Sequence, residues 1–356
     1  MYESNRFVRM RAMPEKHKVA IIGAGPIGLY LAWKLSEAGH QITVFEKKPD
    51  IEDLGLKACS GLISERLRKF APLNESVIEN RINVCNLRFP KKTVALNIKP
   101  THLVIERVKL IETLFDLCQK AGANVLFGQE IKSLPPGFDK VIACDGALSR
   151  IRESIWVEQG RKGIKGEKVE GGEKGKEGRG LKMRMGVQVF EEKAIGQEDF
   201  GEKVDVWPFE GGFCWRIPGG HQVEYGALGP LRTTQKEFES FLRKKDLAYL
   251  LGQRPRAALI PQGLCLPYLE NITLCGDAAG LTKPWSGGGI IWGMTAADIL
   301  VKYFPDFQKY KQETERVFKW PLLKAKLAIP LAYFLGNYLP WLLPSRISMD
   351  NDILKI

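Results

Sequence analysis

The chain has 356 residues and a mass of 40.0 kDa, enough for two intimately joined domains or for one domain with an inserted sheet. Hydrophobic residues are 44% and charged residues 26% of the total, which excludes wholesale disorder. The 53 basic against 41 acidic side chains leave a net charge of +12, a balance that suits an anionic partner such as nucleic acid, a membrane surface or a phosphorylated substrate.

Residues 1–17 are polar and basic without an apolar core, so no secretory signal is expected and a cytosolic, reducing setting fits. Residues 18–22 read as a short apolar strand running into Gly23-Ala24-Gly25-Pro26-Ile27-Gly28. A helix follows to about Ala38, stopped by Gly39, and a second strand, 41–45, ends at Glu46. Residues 56–70 hold a Cys-Ser-Gly turn and a further expected helix. Alternation from about Ile82 to Ile105, interrupted at Pro90, predicts a β-hairpin. In 107–121, Ile111, Leu114, Phe115 and Cys118 mark one face of a helix. Strands 124–127 and 140–144 then lead to Asp145-Gly146.

Residues 158–180 are nearly all Gly, Lys, Arg and Glu, and no core can be made from them, so a flexible solvated insert is expected. Residues 182–190, 204–207, 212–217 and 222–227 read as antiparallel strands. The chain returns to α/β with strand 271–275, loop 276–288 and helix 289–303. Residues 327–345 carry no charge and are rich in Leu, Tyr and Trp, but Pro330, Gly336, Asn337, Pro340 and Pro344 interrupt them. That length could span a bilayer, yet the interruptions predict a broken, membrane-facing element. The seven cysteines form no C-x-x-C pair, which excludes the usual zinc and iron–sulfur spacings. The four histidines suggest no role.

Gly23, Gly25 and Gly28 form G-x-G-x-x-G between a strand and a helix. In that context the first glycine makes the tight turn, the second lets backbone approach a pyrophosphate, and the third lets helix and strand pack closely. Pro26 and Ile27 open a helix whose N-terminus adds partial positive charge. Glu46, 18 residues beyond Gly28 and followed by Lys47, can accept both ribose hydroxyls of an adenosine and opposes a 2′-phosphate. Ser286-Gly287-Gly288-Gly289, followed by Ile290, opens a later helix and aims bare N–H groups at an anion.

Two further segments, Val141 to Ala147 and Leu274 to Gly280, resemble the second and third fingerprints of aromatic-hydroxylase-type flavoproteins. The resemblance implies an α/β fold: a doubly wound, Rossmann-like FAD-binding domain, an antiparallel β substrate domain and a C-terminal helical tail. It implies that Asp277 bonds the ribityl chain, that Asp145-Gly146 lies beside the pyrophosphate, and that backbone after Pro284 faces the isoalloxazine. FAD is therefore the expected cofactor, with no metal. The expected division is 18–70, 102–157 and 270–312 for the FAD domain, 71–101 and 182–269 for the substrate sheet, 158–181 for the insert and 313–356 for the tail.

The run Gly276 to Ile290 closely resembles the geranylgeranyl reductase family, as does Lys57-Ala58-Cys59-Ser60-Gly61. Val104-Ile105-Glu106-Arg107 is similar to that family's Val-x-Asp-Arg step, where the arginine approaches FAD, and Phe213-Cys214-Trp215-Arg216-Ile217-Pro218 to its Tyr-x-Trp-x-Phe-Pro signature. Ser60, Phe213 and Ile217 depart from the pattern, and the lost tyrosine hydroxyl removes a polar group. The resemblance implies FAD-dependent reduction of prenyl C=C bonds in membrane lipids, with hydride from flavin N5 plus a proton. It implies Phe213 and Trp215 in the substrate pocket and Lys57 and Cys59 near the flavin; for the acid, Cys59 and a bound water are the candidates. NAD(P)H or ferredoxin is the implied electron donor, and an anionic membrane, at the inner face of the cell membrane, the implied working surface; nucleic acid is not. A flavin monooxygenase or halogenase, or a non-catalytic FAD-holding lipid-binding protein, would share the fingerprints.

Overall fold

The computed structural model describes residues 15–55, 59–161 and 181–353. Lys57 and most of the basic insert lie outside them. Strand β1 (Lys18–Ile22) leads into helix α1 (Pro26–Glu37) and strand β2 (Gln41–Phe45); a single turn, α2 (Glu52–Gly55), follows. Next come β3 (Leu62–Ser64), the long hairpin β4 (Ile78–Phe89) and β5 (Lys92–Ile105), helix α3 (Arg107–Lys120), and strands β6 (Asn124–Leu126) and β7 (Lys140–Ala143). Helix α4 (Arg150–Arg161) extends four residues into the span expected as an insert. Strands β8 (Lys182–Glu192), β9 (Lys203–Phe209), β10 (Gly212–Pro218) and β11 (Gln222–Gly229) are followed by helix α5 (Thr234–Lys244) and β12 (Arg256–Gln262). Strand β13 (Ile272–Leu274), helices α6 (Ile290–Tyr303) and α7 (Phe307–Tyr338), and strand β14 (Arg346–Asp350) complete the described chain.

Two sheets result. The smaller is parallel, in the order β13-β7-β1-β2-β6. Its strands are short and nearly all apolar, as expected where both faces are covered; Val19 to Ile21, Ile142 and Ala143 are wholly buried. Because β2 and β7 flank β1 on opposite sides, chain order reverses at the carboxyl end of β1, where open α/β sheets leave a ligand crevice. The larger sheet runs β12-β8-β11-β10-β9-β4-β5-β14, with β3 also paired to β5. One of its faces packs Val187, Val223, Tyr225 and Ala227 on Phe238 and Leu242 of α5.

The expected architecture is present, with local corrections. The helix expected in 56–70 is instead strand β3 and a 3-10 turn, Glu65–Lys69, whose start is capped by the Ser64 hydroxyl accepting from the Arg66 N–H. Strand β3 and residues 102–105 join the larger sheet rather than the parallel one. That sheet is also not purely antiparallel, since β4–β9 and β5–β14 pair in parallel.

The tail differs most. Helix α7 continues through Pro321 and Pro330, so these prolines do not break it. A proline removes one N–H, but α7 is anchored at both ends. Tyr310 and Phe318 are wholly buried in the main core, while Tyr333 Oη donates to the Gly212 carbonyl at 2.9 Å and Gly336 packs on Phe89. The chain turns only at Pro340 and returns as β14. Among the described residues no helix is long and apolar enough to cross a membrane.

The end of β14 and the residues after it lock the two sheets together. Arg66 holds Asp350 through both terminal nitrogens, at 2.6 and 2.7 Å, and Asp352 at 2.9 Å. Lys283, 6% exposed, reaches wholly buried Asp352 at 3.1 Å. Trp285 donates to Asn351 and Trp292 to the Asp352 carbonyl. His102 contributes too: burial, chiefly, lowers its pKa to about 4, so the neutral ring accepts from Asn351 at Nε2 and donates from Nδ1 to the Pro100 carbonyl.

Asp352→Asn should therefore destabilise the protein by about 3–5 kcal/mol, because Lys283 would stay buried without its counter-charge; denaturant unfolding measures this. Burial raises the Asp352 pKa, but Lys283, Ser64 and Arg66 outweigh it and hold the carboxyl below its usual range. Its stabilisation is then complete above an ordinary carboxyl pKa of about 3.9 and is lost as pH falls through the lower folded value. The asparagine variant should lack that acid-side loss.

Candidate cofactor and substrate site

The glycine-rich loop shows which of its glycines the protein itself needs. Gly23 has φ +103°, and a Cβ there would meet the Cys144 carbonyl oxygen at 2.5 Å. At Gly28 a Cβ would lie 1.9 Å from the Gly23 carbonyl oxygen, so only glycine lets α1 seat against the turn. Gly25 is different. Its φ of −68° suits any residue, and a Cβ would meet nothing within 4 Å. The open space lies at the N-terminus of α1, where Pro26 occupies the first turn and no side chain caps the helix. Such a start binds anions through free N–H groups and the helix dipole.

Glu46 is 7% exposed. Its Oε2 accepts from the Ala24 N–H at 2.8 Å and its Oε1 from the Lys48 N–H at 2.9 Å. Each carboxylate oxygen keeps further acceptor capacity for a ribose hydroxyl, and the two backbone bonds hold the group in place. The Lys47 side chain is exposed.

The second and third fingerprints are tied to each other by a residue that the sequence reading missed. Arg152, 3% exposed, donates to the Ala147 carbonyl at 2.6 Å and to the Ala278 carbonyl at 2.7 Å, clasping the two loops. Asp145 Oδ2 accepts from the Arg150 N–H at 2.8 Å, while its buried Oδ1 has no partner among the described residues. Burial raises the Asp145 pKa against the hydrogen bonds that lower it. Gly146 adopts φ +85°. Arg107 opens α3, and its Nε is likewise buried without a partner among the described residues. A buried acceptor and a buried donor left unsatisfied by protein are what a polar ligand would complete.

Asp277 sits in a 3-10 turn, Gly276–Ala279, closed by Gly280 at φ +78°. A Cβ on Gly289 would stand 2.8 Å from Asp277 Oδ1, so glycine there keeps the carboxylate and the start of α6 together. The loop between them folds on itself: the Gly287 N–H donates to the Lys283 carbonyl at 2.8 Å and the Lys283 N–H to the Gly288 carbonyl at 3.0 Å. The Pro284 carbonyl accepts from Gln262 at 3.2 Å. No side chain caps α6, so Gly289 and Ile290 present a second bare helix start.

The larger sheet supplies the opposite wall. A Cβ on Gly287 would touch Leu228 of β11 at 3.0 Å, which brings this loop against the sheet face opposite α5. On that face Trp215 lies over Gly226, Phe213 and Trp215 have ring centroids 5.9 Å apart, and Ile217 is buried. Gln188, 4% exposed, donates to the Cys59 carbonyl at 3.2 Å, pinning the Cys-Ser-Gly turn to the same face. The structure thus brings Cys59, Phe213 and Trp215 to one sheet face.

Residues 21–55 match the family model described as NAD(P)-binding Rossmann-like domain. The chain is similar to the kynurenine 3-monooxygenase of Christiangramia forsetii, at 23% identity over 86% of this chain and 76% of that one. It is similar to digeranylgeranylglycerophospholipid reductase 1 of Methanosphaera stadtmanae, at 25% identity over 84% and 78%. The structure of a geranylgeranyl bacteriochlorophyll reductase-like protein from Thermoplasma acidophilum superposes with a TM-score of 0.63 at 19% identity, covering 88% of this chain and 87% of that one. The fold is that of this flavoenzyme class, and the resemblance to geranylgeranyl reductases extends over most of the chain.

Gly25→Val should abolish retention of a dinucleotide, while the stability of cofactor-stripped protein changes by no more than about 1 kcal/mol; Gly28→Val should fail to fold. Cofactor content after gel filtration and unfolding of the stripped protein are the measurements. Asp277→Ala should fold and bind the cofactor more weakly by roughly 1.5–3 kcal/mol.

Proposed function

We propose that the chain is an FAD-dependent reductase that saturates C=C bonds of geranylgeranyl or other prenyl chains on membrane lipids. The observation that carries this reading is the sheet face bearing Phe213, Trp215 and Ile217, with the Cys59 turn pinned to it by Gln188. Such a wall suits a long hydrocarbon substrate, which needs an apolar channel beside the cofactor. The reading is supported by relatives named as digeranylgeranylglycerophospholipid reductases. The glycine cradle, Glu46, Asp145 and Arg107 would hold the adenosine and pyrophosphate, and Asp277 with the Gly287–Gly289 loop the flavin end. When bound and reduced, FAD would supply hydride, that is, two electrons and a proton. The protein's part is to orient the alkene, exclude water and deliver a proton. An isolated alkene is a poor hydride acceptor, so protonation accompanies or precedes transfer. The indole of Trp215 would then face developing positive charge.

The membrane supplies such a substrate, and α7 offers a surface for it. Trp320, Leu327, Leu331, Phe334 and Tyr338 recur at helical spacing and are 52–69% exposed, and Trp341 beyond them is 71% exposed. Lys324, Lys326 and Arg346 are exposed nearby. Aromatic and aliphatic side chains flanked by cations suit the headgroup boundary, each cation adding about 1 kcal/mol on an anionic bilayer. Deleting the tail would also remove β14 and Asp352, so substitution is the cleaner test. Leu327, Leu331 and Phe334 changed together to Ser should stop flotation with anionic liposomes without lowering the melting temperature. Flotation equal to wild type would contradict the membrane role.

A second reading, a flavin monooxygenase, is favoured by the kynurenine 3-monooxygenase relatives. Anaerobic mixing of photoreduced protein with geranylgeranyl lipids, followed by mass spectrometry, separates the two. The reductase reading predicts added hydrogen pairs without oxygen. Product formed only with oxygen, carrying a new hydroxyl, would overturn it. Trp215→Ala should keep the cofactor and lose at least about tenfold in turnover.

A further inference from the structure

Glu224 is an ionisable side chain on the face of the larger sheet that meets the Gly287 loop, and the proposed function leaves it without a part. Alternate residues of β11 share a face. Leu228 touches the Gly287 loop, Gly226 carries the Trp215 ring, and Glu224 follows next along the strand. Val223, Tyr225 and Ala227 point the other way, into the α5 core. Glu224 is 4% exposed, and its Oε1 accepts from Trp215 Nε1 at 2.7 Å.

Burial pushes the Glu224 pKa up to about 8; the Trp215 hydrogen bond and Arg256 on β12 pull it down, and Glu79 on β4 pushes it up. Glu79 is half-buried and is itself raised by burial and by Glu106. With a pKa raised above its unfolded value, the carboxyl is mainly neutral at pH 7. Because the indole N–H occupies Oε1, the acid proton resides on Oε2.

Resting on the reductase reading, we propose that Glu224 is the acid that delivers the proton to the prenyl double bond. The O–H bond at Oε2 breaks as one alkene carbon gains its C–H bond, and the π pair is used in forming it. The other carbon receives hydride, two electrons and a proton, from the reduced flavin. Glu224 is left as a carboxylate that solvent reprotonates before the next turnover, and an external reductant restores the two electrons to the flavin. Trp215 is then a positioning residue as well as a wall, since it fixes which oxygen holds the proton.

The test compares wild type, Glu224→Gln and Glu224→Asp as cofactor-loaded proteins. Glutamine keeps the acceptor for Trp215 and loses the acid; aspartate keeps the acid and packs less well. Infrared difference spectra across the expected pKa should show a neutral-carboxyl carbonyl band in wild type that titrates near pH 8 and is missing in Glu224→Gln. In anaerobic single turnovers of dithionite-reduced protein with a geranylgeranyl phospholipid, Glu224→Gln should lose about 10²-fold or more. Cofactor content should stay unchanged, and Glu224→Asp should retain more activity than Glu224→Gln. The wild-type rate should fall above the Glu224 pKa, and the residual rate of Glu224→Gln should be flat with pH. Equal hydrogenation by wild type and Glu224→Gln would overturn the proton-donor role and leave the reductase reading standing. A missing titratable band would also overturn that role. Failure of wild type itself to hydrogenate the lipid would overturn the reductase reading, and the proton-donor role with it, whatever the carboxyl does.

Discussion

The close approach of α1 to the turn after β1 is the contact on which the rest of the site depends. With no Cβ at Gly28, the helix can seat on the Gly23 carbonyl, and its uncapped N-terminus then points across the open space at Gly25. Glu46 reinforces the arrangement from β2 by holding the Ala24 and Lys48 amides. An anion placed there meets backbone donors and a helix dipole in a fixed geometry. The same turn lies at the place where strand order reverses, so the parallel sheet and the anion cradle follow from one packing event.

Two clasps extend this order to the other loops. Arg152 joins the Asp145 loop to the Asp277 loop by binding one carbonyl of each. The C-terminal residues beyond β14 join Lys283, Trp285 and Trp292 of the parallel-sheet half to His102 of the larger sheet and to Arg66 beside it. Burying these ions is costly unless each is paired, and here each one is. The distance between the glycine loops and the Trp215 face is therefore set by a dense polar contact as well as by apolar packing. A site lying between two sheets needs such a fixed distance.

Much of this was legible in the sequence because local rules decide it. The strand–turn–helix around Gly23 to Gly28, the hairpin around Pro90 and the helix at Arg107 each depend on neighbours close in the chain. What could not be read depends on distant partners. Arg152 looks like one more charge on a polar helix, and only the fold brings the Ala147 and Ala278 carbonyls to it. Asp352 and His102 carry no local signal of burial. Pro330 argues locally for a broken helix, yet packing at Tyr310, Phe318, Tyr333 and Gly336 keeps α7 continuous. Glu224 alternates with apolar neighbours like any exposed strand residue; that its face is covered is a fact of tertiary structure. For Cys59 and Trp215 the sequence motif was visible, and the fold adds the Gln188 contact that draws their segments to one face.

What the cradle holds decides the chemistry of the site. The most direct measurement is to denature the purified protein and identify the released nucleotide by chromatography and mass spectrometry, with its stoichiometry. The geometry at Gly25, Glu46, Asp145 and Asp277 predicts FAD, released without covalent linkage, at about one per chain. Release of NAD or NADP instead, or a protein that takes up no FAD when reconstituted, would contradict it.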